Sequence, residues 1–95
     1  MKLALVASPR FLRQKKKQPS DLQIALDRQI DQIVAQPLAG EPKKGALKGL
    51  RVHKFTYRGV LYLIAYELRT PRRELYLYEF GTHGKFYERV ERRLR

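Results

Sequence analysis

The sequence contains no cysteine. That excludes a disulfide framework and any thiolate metal site, and it fits a reducing cytosol. Two histidines and nine carboxylates are the other candidate ligands, and they do not cluster along the chain, so neither a metal nor a cofactor is expected. Long apolar runs are missing too. After Met1-Lys2 come five apolar residues, Leu3 to Ala7, and then Ser8-Pro9-Arg10. This is too short for a signal-peptide core, and no run approaches a membrane span. A cytoplasmic protein without membrane attachment is expected. At 95 residues the chain is expected to fold as one domain, 1–95, with a modest core and marginal stability.

Acid is also scarce. Nine Asp and Glu stand against 21 Lys and Arg, a net charge of +12. A chain this basic finds polyanions by electrostatic steering, with a steep dependence on salt. The charge is unevenly spread. Residues 10–17 hold Arg10, Arg13, Lys15, Lys16 and Lys17 with no acid, and residues 43–58 hold Lys43, Lys44, Lys48, Arg51, Lys54 and Arg58 with none either. Between them Asp21, Asp27, Asp31 and Glu41 face only Arg28. A surface built merely for solubility mixes its signs. Nucleic acid is therefore the first expected partner and an acidic protein the second, and the two are compatible.

What is present has a clear order. Lys2 to Ala7 reads as a short strand, apolar enough to be paired on both sides or covered. Ser8-Pro9 is a helix start, cap followed by first-turn proline, and Pro19 ends that helix. Ser20 and Gln23 form a capping box, after which Leu22, Leu26, Ile30, Ile33 and Val34 recur at helical spacing over 21–36. Gln36-Pro37 closes this second helix. Residues 37–49, with Pro37, Gly40, Pro42, Gly45 and Gly49, read as a basic loop. Three strands follow. Arg51–Tyr57 leads through Arg58-Gly59 to Val60–Tyr66, an apolar run suited to a central strand buried on both faces. A turn near Thr70-Pro71 leads to Glu74–Phe80, where Leu75 and Leu77 alternate with Tyr76, Tyr78 and Phe80. Tyr57, Tyr62, Tyr66, Tyr76 and Tyr78 are expected mainly in the core or on the sheet.

At the end stands Glu79-Phe80-Gly81-Thr82-His83-Gly84-Lys85-Phe86-Tyr87. Thr82 offers a hydroxyl to cap a helix starting at His83. Within that helix Phe86, Val90 and Leu94 make one apolar stripe, and His83 and Tyr87, four apart, stack along its edge. An imidazole and a phenol would then sit at a helix N-terminus, a natural seat for a phosphate. The same residues also read as an ordinary turn with two edge aromatics.

The element order and three segments resemble the RelE/ParE superfamily of toxins from type II toxin–antitoxin systems. The segments are Leu47-Lys48-Gly49-Leu50 before the first meander strand, Leu63-Ile64-Ala65-Tyr66 in the second, and Gly81-Thr82-His83-Gly84-Lys85-Phe86-Tyr87 after the last. The third looks like the glycine-X-histidine and phenylalanine-tyrosine signature of the RelE-like, RNA-cleaving branch. The match is good from about Lys43 to Arg95 and rests on element order before that. The resemblance implies an α+β toxin: a short N-terminal strand, two helices, a three-stranded antiparallel meander and a C-terminal helix. It further implies mRNA cleavage, often on the ribosome, and neutralisation by a small, acidic, partly disordered antitoxin. Two departures stand out. Several RelE-like enzymes carry an arginine where this chain has Leu63, and others use more histidines.

Metal-free RNA cleavage needs a base for the ribose 2′-hydroxyl, stabilisation of the phosphorane and an acid for the leaving 5′-oxygen. Histidine suits proton transfer, and arginine or lysine suits the phosphorane. The catalytic candidates are His83, Tyr87, His53, Lys54 and Arg58, with Tyr87 orienting the phosphate or stacking on a base. His53 also reads as a plain surface residue and Tyr87 as a half-buried edge aromatic. Lys43, Lys44, Lys48, Arg51, Lys85 and Arg89 are candidates to bind RNA. Lys85, Arg89 and Arg92 fall on the helix flank opposite Tyr87, suiting them to backbone grip or to an acidic partner. The Lys15–Lys17 run reads as a solvated face. A ParE-like poison of DNA gyrase and a non-catalytic RNA-binding module are the competing functions.

Overall fold

The apolar run beginning at Val60 forms the middle strand of a five-stranded sheet. A computed structural model describes residues 3–94. In chain order the elements are β1 (Ala4–Ala7), α1 (Pro9–Lys16), α2 (Ser20–Ala35), β2 (Glu41–Pro42), β3 (Arg51–Tyr57), β4 (Val60–Arg69), β5 (Glu74–Thr82) and α3 (Phe86–Leu94). The sheet order is β1-β5-β4-β3-β2, with β1 parallel to β5 and the other pairs antiparallel. This is the expected α+β arrangement with a longer sheet. Pro42 is tolerated in β2 because that strand lies at an edge.

Each face of the sheet has its own core. Under α1 and α2 lie Phe11, Leu22, Leu26, Ile30, Ile33, Phe55, Ile64, Tyr66, Leu75, Leu77 and Phe80. Phe55, Tyr62 and Phe80 form a stack there, with neighbouring centroids 5.5 Å apart. The opposite face is thinner: Leu50, Val52, Leu63 and Ala65 meet Phe86 and Val90 of α3. Leu63 and Ala65 point to one side and Ile64 and Tyr66 to the other, so the apolar run is buried on both faces.

The turns follow local chemistry. Arg58 and Gly59 both have positive φ, 51° and 79°, the two-residue hairpin turn whose twist matches the flanking strands. Ser8 caps α1 as its spacing predicts, accepting from Phe11 N at 3.0 Å. Its hydroxyl also donates to Tyr78 O at 2.8 Å. That bond matters because β1 stops at Ala7 and leaves the far end of β5 as an edge. Gln14 completes the cover by accepting from Phe80 N at 2.8 Å.

Several expectations need correction. Pro19, not Ser20, stands at the cap of α2, and no side chain caps it. Gln23 instead donates to Gln18 O at 2.9 Å and ties the α1–α2 junction. The N-terminal strand is an edge paired only with β5, which leaves Leu5 half exposed; Lys2 lies outside the described residues. The 37–49 segment holds β2 and a single 3₁₀ turn, Gly45–Leu47. Thr82 caps nothing. It remains in the sheet opposite Tyr62, and His83 N extends the ladder to Leu61 O at 3.1 Å. The last helix therefore starts at Phe86, after Lys85 turns the chain with φ 55°. Phe86 and Val90 are buried as the stripe requires, whereas Leu94 is exposed.

Candidate active site

Consecutive residues on a strand face opposite sides. On β3, Val52 packs under α3, so Lys54 projects to that side, while His53 and Phe55 project to the α2 side. Glu41 of β2 is paired with Val52 and brings its carboxylate beside Lys54 Nζ, 3.7 Å away. Lys43 Nζ reaches the same carboxylate at 2.8 Å and lies 4.6 Å from the centroid of the Tyr87 ring. The Tyr87 ring meets His83 edge to face at 6.3 Å. Lys54, Glu41, Lys43, Tyr87 and His83 thus form one unbroken series of contacts along the α3 face.

The electrostatics follow from this series. The hydrogen bond from Lys43 is the main reason the Glu41 carboxyl is held below its ordinary range, with Lys54 adding to it. The bond to Glu41 likewise raises Lys43, against the cost of its partial burial. Two ammonium groups facing one carboxylate leave a net positive site. Tyr87 Oη is buried, and Lys43 is the cation beside it. His83 is exposed. The two residues keep the neighbourhood expected of a helix edge, although the helix begins after His83.

The other candidates lie elsewhere. His53 contacts Gln29 of α2 at 2.7 Å across the sheet from His83, and burial lowers its pKa. Arg58 sits in the β3–β4 turn, 3.2 Å from Asp21 on α2. Neither shares the series, because strand parity sends His53 to the other face and the hairpin carries Arg58 past it. Arg51 holds the loop before β2, donating to Leu38 O and Gly40 O at 3.0 and 2.9 Å. Lys44, Lys48 and Lys85 are exposed around the site. Arg89 turns away from Tyr87 toward Glu79. Sequence reasoning missed Glu41, although it is the only carboxylate between residues 32 and 66. It also missed Glu79, a carboxylate inside an apolar strand run. Among the described residues no group of three or more His, Asp or Glu side chains could hold a metal, and no helix is long and apolar enough to cross a membrane.

Known folds place this geometry. The free state of a double mutant of the Escherichia coli toxin RelE superposes with a TM-score of 0.76 at 16% identity, covering 96% of this chain and 94% of that one. The RelBE2 toxin–antitoxin complex of Mycobacterium tuberculosis matches with a TM-score of 0.72 at 16% identity, over 87% and 100% of the two chains. The intact E. coli RelBE toxin–antitoxin complex gives 0.68 at 16% identity, over 83% and 94%. At such identities these likenesses establish the fold, which is that of RelE. No curated protein sequence matches. A family model for the ParE-like toxin of type II bacterial toxin–antitoxin systems matches residues 5–91. The chain belongs to that family of toxins.

Proposed function

We propose that this toxin is an endoribonuclease that cleaves mRNA, on the ribosome, and so stops translation. The observation that carries the reading is the contact series from His83 through Tyr87 and Lys43 to Glu41 and Lys54. It sets groups that exchange protons beside groups that stabilise a phosphorane. The 2′-oxygen loses its proton and attacks the adjacent phosphorus, and the 5′-oxygen leaves with a proton, giving a 2′,3′-cyclic phosphate. His83 and Glu41 serve the proton transfers, Lys43 and Lys54 the phosphorane, and Tyr87 orients the phosphate or stacks on a base. An acidic antitoxin with a segment that folds on binding is the natural inhibitor of so basic a surface. Calorimetry against a neighbouring acidic gene product tests that part; no binding would count against it.

Purified toxin in a cell-free translation system should yield mapped mRNA ends. His83→Ala should lower the rate roughly 10²–10⁴-fold, and Lys54→Ala about 10²–10³-fold if it behaves like a lost oxyanion donor. Lys16→Ala should change little beyond shifting the salt dependence. The family description favours one second reading, a ParE-like action on DNA gyrase. Intact mRNA, with gyrase trapped on cleaved DNA, would replace the first reading with the second.

A further inference from the structure

The carboxylate of Glu79 is fully buried at the free end of β5, and cations converge on it from two helices. Arg10 Nε of α1 lies 3.2 Å away. Arg89 Nε and Arg93 Nη1 of α3 lie 3.5 and 2.5 Å away. Gln14 Nε2 adds a hydrogen bond at 3.1 Å. Arg93 Nη1 also donates to Tyr78 O at 2.9 Å and Arg89 Nη1 to Gly84 O at 3.3 Å. Gly81 makes room for this: a Cβ there would stand 2.3 Å from Arg89 Nη2.

One carboxylate does not neutralise three guanidinium groups. Arg10 Nε is buried and near Glu79, yet donates no hydrogen bond. Arg92 stands on the same face of α3 and has no ion pair or hydrogen bond among the described residues. Together Arg10, Arg89, Arg92 and Arg93 line a cleft of about 290 Å³. Four guanidinium groups around one buried carboxylate leave the cleft positive. Each guanidinium carries five N–H donors in a fixed fork, the geometry that grips phosphate oxygens.

We infer that this cleft is a phosphodiester subsite that holds the RNA backbone outside the cleavage pocket, with Glu79 as the positioning residue that aims the arginines. The inference rests on the RNA-cleaving reading above. Continuity with that pocket comes from Arg89, which bonds the carbonyl of Gly84 next to His83. Single-stranded RNA fits better than an acidic peptide because the walls are arginine alone. A folded peptide binds by burying a broad apolar face, whereas a phosphodiester needs only the charge and donors that these guanidinium groups supply.

The test uses a short 2′-O-methyl RNA single strand, which binds but has no 2′-hydroxyl to attack, with affinity read by fluorescence anisotropy across a salt series. Arg92→Ala and Arg10→Ala should each weaken binding about tenfold and flatten the salt slope by about 0.7. On cleavable RNA, KM should rise while kcat at saturation holds. Lys16→Ala should leave KM alone. Arg92→Ala removes no hydrogen bond or ion pair among the described residues, so it reports on binding even if Glu79→Gln fails to fold. If the parent cleaves RNA but Arg92→Ala and Arg10→Ala keep its slope and KM, the subsite is refuted and the nuclease stands. If those variants lose only an acidic antitoxin, the cleft is a protein contact and the inference is overturned. A parent that neither binds nor cleaves RNA removes both readings.

Discussion

Replacing Tyr66 by phenylalanine should show how the site is held up. Tyr66 is fully buried, and burial raises its pKa, so the phenol stays protonated and able to donate. Its hydroxyl donates to Pro37 O at 2.8 Å and accepts from Gly40 N at 3.0 Å. One oxygen thus closes the loop that leads into β2, and β2 delivers Glu41 and then Lys43 to the site. Tyr66→Phe keeps the ring and its packing but strands a buried N–H. Two lost bonds and one orphaned donor cost about 2–4 kcal/mol. That is a large part of the roughly 5–14 kcal/mol available to a domain of this length, and it should lower Tm by about 10–25 °C. Urea melts should move in midpoint and keep their slope, since the surface exposed on unfolding is unchanged. The Gly40 amide should lose protection in hydrogen exchange, and cleavage should slow because Glu41 and Lys43 lose their anchor. Gly40→Ala should fail more severely, since its Cβ would stand 2.2 Å from the hydroxyl of a ring with nowhere to go. A Tyr66→Phe protein within about 0.5 kcal/mol of the parent, far below the cost of an orphaned donor, with Gly40 still protected, would refute the reasoning.

Three further outcomes are expected. Glu79→Gln leaves three arginines crowded without their carboxylate and should cost roughly 3 kcal/mol, the low end for a broken buried pair, because the guanidinium groups keep partial contact with water; a melt unchanged from the parent's would contradict it. His53 is held below the ordinary histidine value of about 6.5 by burial, so the unfolded chain takes up its proton first. Its contribution is complete above that pH and is lost as pH falls through it toward the folded value; His53→Gln should flatten urea stability between about pH 7 and 5, and an unchanged slope would sink the claim. Arg58 is a non-glycine residue in the left-handed region whose partner is the exposed Asp21, so Arg58→Asn should stabilise by about 0.5–1 kcal/mol and leave cleavage untouched; a lower Tm or a slower enzyme would overturn it.

The secondary structure was legible wherever one local cause decided it. Ser8-Pro9 marked a capped helix, Arg58-Gly59 a tight hairpin, and the Val60 run a central strand, because dihedral preference and burial agree at those places. The failures share a different cause. Ser20 and Gln23 have the spacing of a capping box, but the carbonyls ending α1 compete for the Gln23 amide, and that competition is tertiary. Thr82 has the chemistry of a cap, yet its backbone is claimed by the ladder to β4. Glu79 could not be read as a charge anchor because its partners, Arg10, Arg89 and Arg93, lie about 70 positions before it and 10 to 14 after it.

The division between His53 and Lys54 goes deeper than a missed contact. The two residues are adjacent, and both carry chemistry that RNA cleavage uses. On a strand they cannot share a face, so choosing one excludes the other. Nothing in the Arg51–Tyr57 segment alone says which face meets α3, since Val52 and Phe55 are both apolar and both buried. The pairing decides it. Val52 stands opposite Ala65, and Ala65 together with Leu63 is covered by Phe86 and Val90. Phe55 stands opposite Tyr62 and joins the aromatic stack under the N-terminal helices. Even-numbered residues of β3 therefore face α3, and odd-numbered ones face α2. Lys54 falls beside Glu41 on the side where Tyr87 descends, while His53 is left to Gln29. A one-residue slip of β3 against β4 would exchange them. The thin core beneath α3 is thus what puts a lysine rather than a histidine on the face of the candidate site.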